Sequence, residues 1–398
     1  MISVDEALVR CLALVTPLPA EAVALRHAVG RMMSEPALAV RDQPPFDASA
    51  MDGYALRGDP VAGDTFAVIG AAQAGLGFAG AVGDGQAVRI FTGAPVPDGA
   101  DTILIQENTR AEDGIVIALE SETQGRFVRR AGLDFSAGDV LLHKGRRLGP
   151  SELALAAAMN HPTLPVTRKP RVALLATGDE LVRPGEEAGP DQIVASNTFA
   201  VRAYAENAGA DVIDIGIAGD RFEAIESAIR RARDMGADVL VTLGGASVGD
   251  HDLVQTALAR EGMELGFWRI AMRPGKPLMH GRIGDMRILG LPGNPVSAIV
   301  CGYLFLVPLV RALSGDPQAG EDRSELAVLA SSLPENDSRQ DYMRARIIGL
   351  QDGHPLVEAF GKQDSSMLRI LSDAQCLIVR DPHAPAAKAG ETCRVMRV

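Results

Sequence analysis

RVALLATGDEL (residues 171–181) carries the clearest fold information in this sequence. Residues 171–177 form an apolar run typical of a buried strand, and a glycine and two acidic residues follow it at once. A helical spacing of apolar residues then starts at Asn197 and ends at Gly209. The stretch therefore predicts the first strand and helix of an α/β unit.

Two further strands continue this pattern. DVIDIGIA (211–218) and DVLVTL (238–243) have strand composition, and they flank a helix predicted over 222–236 with Asp220 as its N-cap. This alternation predicts a parallel sheet with right-handed crossovers and helices on both faces. In such sheets, ligands bind beyond the carboxyl ends of the strands.

The regions on either side have a different composition. Residues 39–138 are rich in Gly and Pro and read as a β-rich module, and the chain beyond 319 predicts a small C-terminal β domain. The predicted strands of these regions are FAVIGA (66–71), QAVRIFTG (86–93), DTILIQ (101–106), GIVIALE (114–120), ELAVLASSL (325–333), YMRARIIGL (342–350), CLIVR (376–380) and ETCRVMRV (391–398). Helices are predicted over 4–15, 21–33 and 151–160.

These patterns predict an α/β multidomain protein with a central parallel-sheet domain. We expect a discontinuous, mainly helical domain over residues 1–38 plus 139–169 and an inserted β-rich domain over 39–138. The α/β domain is expected over 170–318 and a C-terminal domain over 319–398.

Composition excludes several classes of protein. The chain of 398 residues is 47% hydrophobic and 23% charged, which is too apolar for disorder. Its 39 basic and 51 acidic residues give a net charge of −12, which disfavours nucleic-acid binding. The four cysteines have neither zinc-site nor disulfide spacing. The longest apolar stretch, 296–310, is short for a membrane span, and acidic residues lie near the N-terminus, so we expect no membrane association and a cytoplasmic location.

Two stretches of the β-rich module carry candidate polar groups. PPFDASAMDGYAL (44–56) places Asp47 and Asp52 around a turn, and TGAPVPDGAD (92–101) begins with Thr92. Turn formation alone explains both stretches, and a ligand facing their side chains is the alternative.

Two stretches follow strands of the predicted parallel sheet. ATGDEL (176–181) places Asp179 and Glu180 where a divalent cation could bind, and a helix N-cap is the alternative. GGASVGDHD (244–252) has glycines that let a phosphate approach the backbone, but it is neither a P-loop nor a dinucleotide fingerprint.

Basic residues and a rigid turn complete the candidates. WRIAMRPGKP (268–277) clusters Arg269, Arg273 and Lys276, either as an anion site or as a solvated loop. GLPGNPVSA (290–298) holds two prolines around Gly293 and Asn294, directly before an apolar helix. A helix N-terminus attracts anions, and Asn294 is a predicted cap for this helix; a rigid helix start alone is the alternative.

The order of these motifs is more specific than any one of them. DASAMDGYA, TGAPVPDGAD, RRAGLD, TGDEL, GGASVGDHD, PGKP and GLPGNPVSA run in that order over most of the chain. In this the sequence resembles the molybdopterin molybdenumtransferases of molybdenum-cofactor biosynthesis, the MoeA family, which includes the C-terminal part of gephyrin.

The resemblance implies a reaction and an architecture. Proteins of this family insert molybdenum from molybdate into adenylylated molybdopterin and release AMP, with a divalent cation such as Mg²⁺. The resemblance also implies a sheet domain like that of the pterin adenylyltransferases, a C-terminal β-barrel and an elongated homodimer. The active site is then expected between the sheet domain of one subunit and the inserted domain of the other.

The resemblance also implies roles for particular residues. The catalytic positions match Asp52, Thr92, Glu180, Asp220 and Asp252, and the cation ligands match Asp52, Asp252 and Glu180. The positions that bind the pterin and molybdate match Arg129, Asp134, Gly244, Gly245, Ser247, Arg269, Arg273, Lys276, Pro292, Gly293, Asn294, Pro295, Arg344 and Ser365. The family often has lysine where this chain has Arg269 and Arg273, which keeps the charge and alters the expected affinity.

Partners and rival functions follow from the same comparison. The candidate protein partners are the upstream adenylyltransferase and molybdoenzyme-maturation proteins. A pterin adenylyltransferase would share the sheet domain but would not need the inserted module, and a gephyrin-like scaffold would need extensions for partners. A competence-damage-type nucleotide hydrolase would lack PPFDASAMDGYA (44–55).

Overall fold

The structure is a computed structural model that describes residues 1–245 and 253–398. The chain forms two compact units. The first comprises Met1–Glu21, Gly30–Ser34 and Thr167–Val398, and the second comprises Ala22–Val29 and Glu35–Val166. The division into four domains stays a prediction, and each unit is described below by itself.

The described residues contain the following helices and strands. The α-helices are α1 (Val4–Leu12), α2 (Pro150–Ala158), α3 (Asn197–Asn207), α4 (Phe222–Asp234), α5 (Leu253–Arg260), α6 (Pro295–Cys301), α7 (Val307–Leu313) and α8 (Leu368–Asp373). Short 3-10 turns cover Leu25–His27 and Gln106–Asn108. The first strands are β1 (Ala20–Ala24), β2 (Ala37–Leu38), β3 (Ala48–Ser49), β4 (Gly53–Leu56), β5 (Thr65–Ala72), β6 (Gln86–Ile90), β7 (Thr102–Ile105), β8 (Thr109–Glu112), β9 (Ile115–Ala118), β10 (Val128–Arg129), β11 (Val140–Leu142) and β12 (Thr163–Thr167). The remaining strands are β13 (Arg171–Thr177), β14 (Leu181–Val182), β15 (Ile193–Val194), β16 (Asp211–Ala218), β17 (Val239–Leu243), β18 (Glu264–Trp268), β19 (Met272–Arg273), β20 (Met279–Ile283), β21 (Met286–Leu291), β22 (Glu325–Leu329), β23 (Gln340–Gln351), β24 (His354–Ala359), β25 (Cys376–Arg380) and β26 (Thr392–Arg397).

The central sheet has six strands in the order β16-β13-β17-β21-β20-β18. Strands β16, β13 and β17 are parallel, as predicted. Strand β21 adds a fourth parallel strand, and β20 and β18 extend the sheet in antiparallel fashion, which the sequence patterns did not predict. Alternate residues of β13 point to opposite faces. Val172 and Leu174 pack with α3 and the 295–313 helix, whereas Ala173 and Leu175 pack with α4 and α5. The helices therefore cover both faces, as expected.

The long apolar segment after β21 is a core helix of the first unit. It runs over Pro295–Leu313, which is long and apolar enough to cross a membrane by length and composition, but 89% of its most apolar 18-residue stretch is buried inside the fold. A π turn at Gly302–Leu306 separates α6 from α7. Pro308, which follows this turn, has no N–H to donate to the preceding helical turn.

The C-terminal strands close on themselves. Their order is β23-β24-β22-β26-β25, and β25 pairs back onto β23, which makes a closed five-stranded barrel. The predicted C-terminal β-barrel, and with it the multidomain α/β fold class, is confirmed. Parallel β19 pairs with the start of β23, so this barrel is hydrogen-bonded to the segment that contains Arg273.

The second unit contains the predicted β-rich module. Its main sheet has the order β7-β4-β6-β5-β9-β8 and packs apolar side chains on both faces. Tyr54 and Leu56 lie on one face, and Ala55 lies on the other. This alternation follows the strand periodicity read in the sequence.

One predicted helix is wrong. The apolar spacing over 21–33 suggested a helix, but the structure has strand β1 and one 3-10 turn there. Strand β1 pairs with β12, which comes about 140 residues later in the chain. Because Ala, Val and Leu are compatible with both conformations, a distant pairing partner decided between them.

Candidate functional site

A wide cleft of the first unit lies at the carboxyl ends of the parallel strands. Strands β13, β17 and β21 end together, since Ala176 pairs with Leu243 and Leu243 pairs with Leu291. The cleft has a volume of about 900 Å³. The predicted site residues that line it are Glu180, Asp220, Gly244, Gly245, Pro292, Gly293, Asn294 and Pro295.

Two glycines give the cleft its floor. Gly244 has a φ of +100°, and a Cβ there would come within 2.7 Å of the Thr177 carbonyl oxygen. Gly245 has a φ of +63°, and a Cβ there would overlap the side chain of Val254. Both positions therefore require glycine, because the backbone is left-handed and the space is filled.

The acidic edge of the cleft is built from two loops that hold each other. The Asp220 N–H donates to Asp179 Oδ1 at 3.1 Å, and the Asp179 N–H donates to Asp220 Oδ2 at 3.4 Å. Glu180 follows directly and is exposed. The predicted capping role of Asp220 is wrong: Arg221 occupies the N-cap position of α4, and no side chain caps it. Asp220 is instead tied to the loop after β13.

Ser247, Asp250 and Asp252, from the stretch GGASVGDHD (244–252), lie outside the described residues. Among residues 1–245 and 253–398, no three His, Cys, Asp or Glu side chains are grouped closely enough to hold a metal ion by themselves. Glu180 and Asp220 are thus the candidate carboxylate ligands that the structure places in the cleft.

The turn Pro292–Pro295 is held from two sides. On one side, Asn197 Nδ2 donates to the Gly293 carbonyl oxygen at 2.7 Å. On the other side, Asn294 Nδ2 donates to Ser365 Oγ at 3.0 Å. The Val296 N–H also donates to the Ser365 carbonyl oxygen at 3.0 Å. Ser365 therefore reaches the site through the turn, and its neighbour Ser366 lines the cleft.

The predicted capping role of Asn294 is half correct. Asn294 does occupy the N-cap position of α6, with Pro295 as the first helical residue. Its side-chain oxygen accepts no capping hydrogen bond, however, and its Nδ2 donates to Ser365. The N–H groups at the start of α6 therefore depend on other partners, as the bond from Val296 to Ser365 illustrates.

The basic residues separate into two environments. The Arg269 guanidinium lies 4.5 Å from the centre of the Trp268 ring, whereas Arg273 forms ion pairs with Asp337 and Asp341. Lys276 is exposed, and its neighbour Pro277 lines the cleft. None of the three basic residues lines the 900 Å³ cleft itself.

A smaller cavity of about 260 Å³ brings two of the predicted arginines together. Arg273 and Arg344 both line it, along with Asp341 and Gln363. Arg344 is only 1% exposed, and burial lowers the pKa of its guanidinium. The sequence pattern gave no sign that this arginine lies inside the barrel domain.

The second unit holds the remaining predicted residues. The Thr92 N–H and hydroxyl both donate to Asp52 Oδ1, at 2.7 and 2.8 Å. These donors, the backbone N–H foremost, hold the pKa of Asp52 below its usual value, and the Arg89 charge adds to this. Arg129 and Asp134 are exposed in this unit.

Three residues of the cleft were not singled out from the sequence. Asn197 holds the turn, Thr177 is buried at the end of β13, and Ser366 lines the cleft. The Thr177 hydroxyl has no hydrogen-bond partner within the described part of the chain. The position of Thr177 at the end of a strand was the available signal, since strand ends bind ligands in this fold. No local signal pointed to Asn197.

The fold and the cleft together define a multidomain α/β protein that binds its ligand beyond the carboxyl ends of a parallel sheet. Comparison with known proteins narrows this class. Residues 2–160 match the MoeA N-terminal region (domain I and II), residues 173–312 match a probable molybdopterin binding domain, and residues 326–398 match the MoeA C-terminal region (domain IV).

Full-length relatives agree with these matches. The molybdopterin molybdenumtransferase of Haemophilus influenzae is 34% identical over 398 residues, 99% of this chain and 98% of that protein. The Bacillus subtilis protein of the same name is 33% identical over 407 residues, 100% of this chain and 94% of that protein. The crystal structure of the molybdopterin biosynthesis moeA protein from Pyrococcus horikosii aligns with a TM-score of 0.85 at 28% identity, covering 100% of this chain and 99% of that one. The chain belongs to the molybdopterin molybdenumtransferase (MoeA) family, which confirms the resemblance seen in the motifs.

Proposed function

We propose that this protein inserts molybdenum from molybdate into adenylylated molybdopterin and releases AMP, the final step of molybdenum-cofactor biosynthesis. One observation carries the proposal: the motifs predicted for the sheet domain converge on a single cleft. Glu180, Asp220, Gly244 and the turn Pro292–Pro295 come from separate strand ends and line it together. The names of the full-length relatives point to the same reaction.

The cleft suits a large anionic substrate. Its volume of about 900 Å³ lies in the range of small-molecule sites, and Gly244 and Gly245 line it. The N-terminus of α6 lies beside the turn, where Pro295 and Ser297 line the cleft, and its helix dipole favours negative charge there. We therefore place the pterin with its phosphates against this turn.

A divalent cation such as Mg²⁺ fits the oxygen donors of the same cleft. Glu180 and Asp220 supply carboxylates, and Mg²⁺ is typically held by one or two carboxylates together with substrate phosphates. When bound, the ion would supply positive charge that neutralises the phosphate oxygens. Asp252, outside the described residues, and Asp52, in the second unit, are the other proposed ligands.

Further roles complete the proposal. Thr92 orients Asp52, and the family resemblance assigns Arg129 and Asp134 of the second unit to substrate binding. Arg269, Arg273, Lys276, Arg344 and Ser365 serve the anionic substrates in the first unit. The working unit is a cytoplasmic homodimer, which receives its substrate from the adenylyltransferase and passes the finished cofactor to maturation proteins. Light scattering at assay concentration tests the dimer, and a fully active monomer would refute it.

The direct test supplies the purified protein with adenylylated molybdopterin, molybdate and Mg²⁺ and measures AMP release. We expect turnover that requires all three components. Glu180→Gln should slow AMP release about 100-fold, because the neutral amide cannot hold a hard cation. Glu187→Gln is the matched control, since Glu187 is an exposed carboxylate of the next loop, between β14 and β15, and does not line the cleft.

Other outcomes would redirect the assignment. Formation of adenylylated molybdopterin from ATP and molybdopterin, without AMP release from the adenylylated form, would make the protein an adenylyltransferase. Tight pterin binding with no turnover would favour a scaffold. Equal activity of Glu180→Gln and Glu187→Gln would remove Glu180 from the catalytic residues.

A further inference from the structure

Gln363 occupies a position in which every hydrogen-bonding group of its side-chain amide is used. Its Oε1 accepts from the N–H of Arg344 at 3.0 Å and from Arg344 Nε at 2.9 Å. Its Nε2 donates to the carbonyl oxygens of Arg344 at 3.0 Å and Phe360 at 2.8 Å. An amide offers two donor hydrogens and one oxygen with two lone pairs, so this side chain is saturated.

These contacts fix both a strand and a loop. Arg344 lies in β23 of the barrel, and it also donates from Nη1 to the Asp364 carbonyl oxygen at 2.7 Å. Gln363 therefore contacts the buried guanidinium through its side chain, while its own backbone leads into residues 364–366. Because Arg344 is 1% exposed, its charge depends on these few oxygen partners.

The far end of the loop meets the cleft. Ser365 accepts hydrogen bonds from Asn294 and from the Val296 N–H, as described above, and Ser366 lines the cleft. Asp364 and Ser365 thus separate the saturated amide of Gln363 from the turn that shapes the proposed pterin pocket. A shift of this loop would break the hydrogen bonds that Asn294 and Val296 both make to Ser365.

We propose that Gln363 is a positioning residue of this enzyme: it fixes the Arg344 guanidinium and holds loop 363–366 against the turn Pro292–Pro295, so that the barrel domain sets the substrate affinity of the cleft. Gln363 acts through Ser365 and Asn294 and does not contact the substrate in this arrangement. The inference rests on the proposed function only in taking adenylylated molybdopterin as the ligand.

Gln363→Glu is the first variant to measure. A carboxylate keeps the two bonds accepted from Arg344 but faces the carbonyl oxygens of Arg344 and Phe360 without a hydrogen to donate. The barrel should remain folded, because the new charge pairs with the guanidinium, while the loop is displaced. We expect adenylylated molybdopterin to bind about tenfold more weakly, a change that calorimetry measures directly.

Gln375→Glu is the matched control. Its Oε1 accepts from the Ile347 N–H at 2.9 Å, on the same strand β23 but without a contact to loop 363–366. We expect substrate affinity within about twofold of wild type for this variant. If both glutamate variants weaken binding equally, the effect is a general disturbance of the barrel and the proposal is overturned.

A double-mutant cycle with Asn294→Ala separates positioning from stability. If Gln363 acts through the loop and the turn, Gln363→Glu should cost less than about twofold in affinity once Asn294 is already alanine. Full additivity of the two changes would overturn the proposal. Should Gln363→Glu fail to fold, Gln363→Met removes the polar contacts without adding charge and enters the same cycle.

Hydrogen exchange at the Val296 amide tests the same contact without substrate. Because this N–H donates to Ser365, it should exchange faster in Gln363→Glu and at the wild-type rate in Gln375→Glu. If the wild-type protein does not bind adenylylated molybdopterin, the proposed function fails, but this measurement still decides whether Gln363 holds the loop. Unchanged exchange at Val296 would overturn that role.

Discussion

Asp52 and His280 have pKa values shifted in the same direction for opposite reasons. Asp52 is exposed in the second unit, and two hydrogen bonds from Thr92 favour its charged form, which lowers its pKa. His280 is buried in the central sheet of the first unit, and desolvation, with a smaller contribution from Arg287, lowers its pKa to about 4. A lowered pKa thus means that the charged form is stabilised in Asp52 and that the charged form is disfavoured in His280.

The surroundings of the two groups explain the contrast. The His280 ring stacks on Phe267 with 5.4 Å between ring centres, and neither ring nitrogen has a hydrogen-bond partner among the described residues. Asp52 accepts hydrogen bonds from Thr92 but is exposed to solvent. A group that is held charged in solvent is available for chemistry, whereas a group kept neutral in a core serves packing. The cause of a pKa shift is therefore more informative than its direction.

Removing the charge of Asp52 should have the largest effect. Asp52→Asn keeps an oxygen for the two Thr92 donors but loses the charge that a hard cation requires, so AMP release should fall at least about 100-fold. Asp47→Asn is the control, because Asp47 accepts from Arg130 and Ala131 in the same unit and has no proposed catalytic role. Near-normal turnover of Asp52→Asn would remove it from the catalytic residues.

The neutral hydrogen bond from Asn197 to the turn Pro292–Pro295 should affect substrate binding more than the rate of reaction. Asn197→Ala removes the bond to the Gly293 carbonyl oxygen and frees the turn on one side. We expect the affinity for adenylylated molybdopterin to fall about tenfold, with a smaller change in the rate from bound substrate. Calorimetry and single-turnover kinetics measure the two quantities. A lower rate with unchanged affinity would contradict a shaping role.

A substitution at Thr92 tests whether its hydroxyl group lowers the pKa of Asp52. Thr92→Val removes the hydroxyl donor and keeps the backbone donor, so the pKa of Asp52 should rise towards its usual value. Stability from this contact is present above the usual aspartate pKa and is lost as pH falls through the folded pKa, so in the variant the loss should be smaller and should be complete at a higher pH. Carbon NMR of the carboxyl group, without added divalent cation, measures the shift. Thr92→Ser should restore it, and an unchanged pKa would refute the contact.

His280 should produce the smallest effect, on stability alone. The unfolded chain binds a proton near pH 6.5 and the folded chain only near pH 4, so the first unit loses stability as pH falls between these values. At pH 5.5 the loss should be about 1.4 kcal/mol, a Tm decrease of about 2–4 °C. His280→Leu should abolish this part of the pH dependence, and His354→Leu, at the start of β24, should leave it. Equal pH profiles for both variants would exclude His280 as the cause.

The core elements and the cleft glycines followed from local sequence. Strands β16 and β25 lie where the apolar runs placed them, over Asp211–Ala218 and Cys376–Arg380. Each strand is either continuously apolar or alternates between apolar and polar residues, and such a pattern can be read from residues that are close together in the chain. The ordered motifs also indicated the family and placed the candidate site at the carboxyl ends of the parallel strands.

Tertiary structure decided the partners of the polar side chains. Asn294 was read as a helix cap but binds Ser365, 71 residues away, and Asn197 was read as a helix start but also holds Gly293, 96 residues away. Capping propensity describes what an asparagine can do with its own neighbours. Which of several possible partners it binds depends on which distant backbone groups the fold brings within about 3 Å, and this information is absent from any local stretch of sequence.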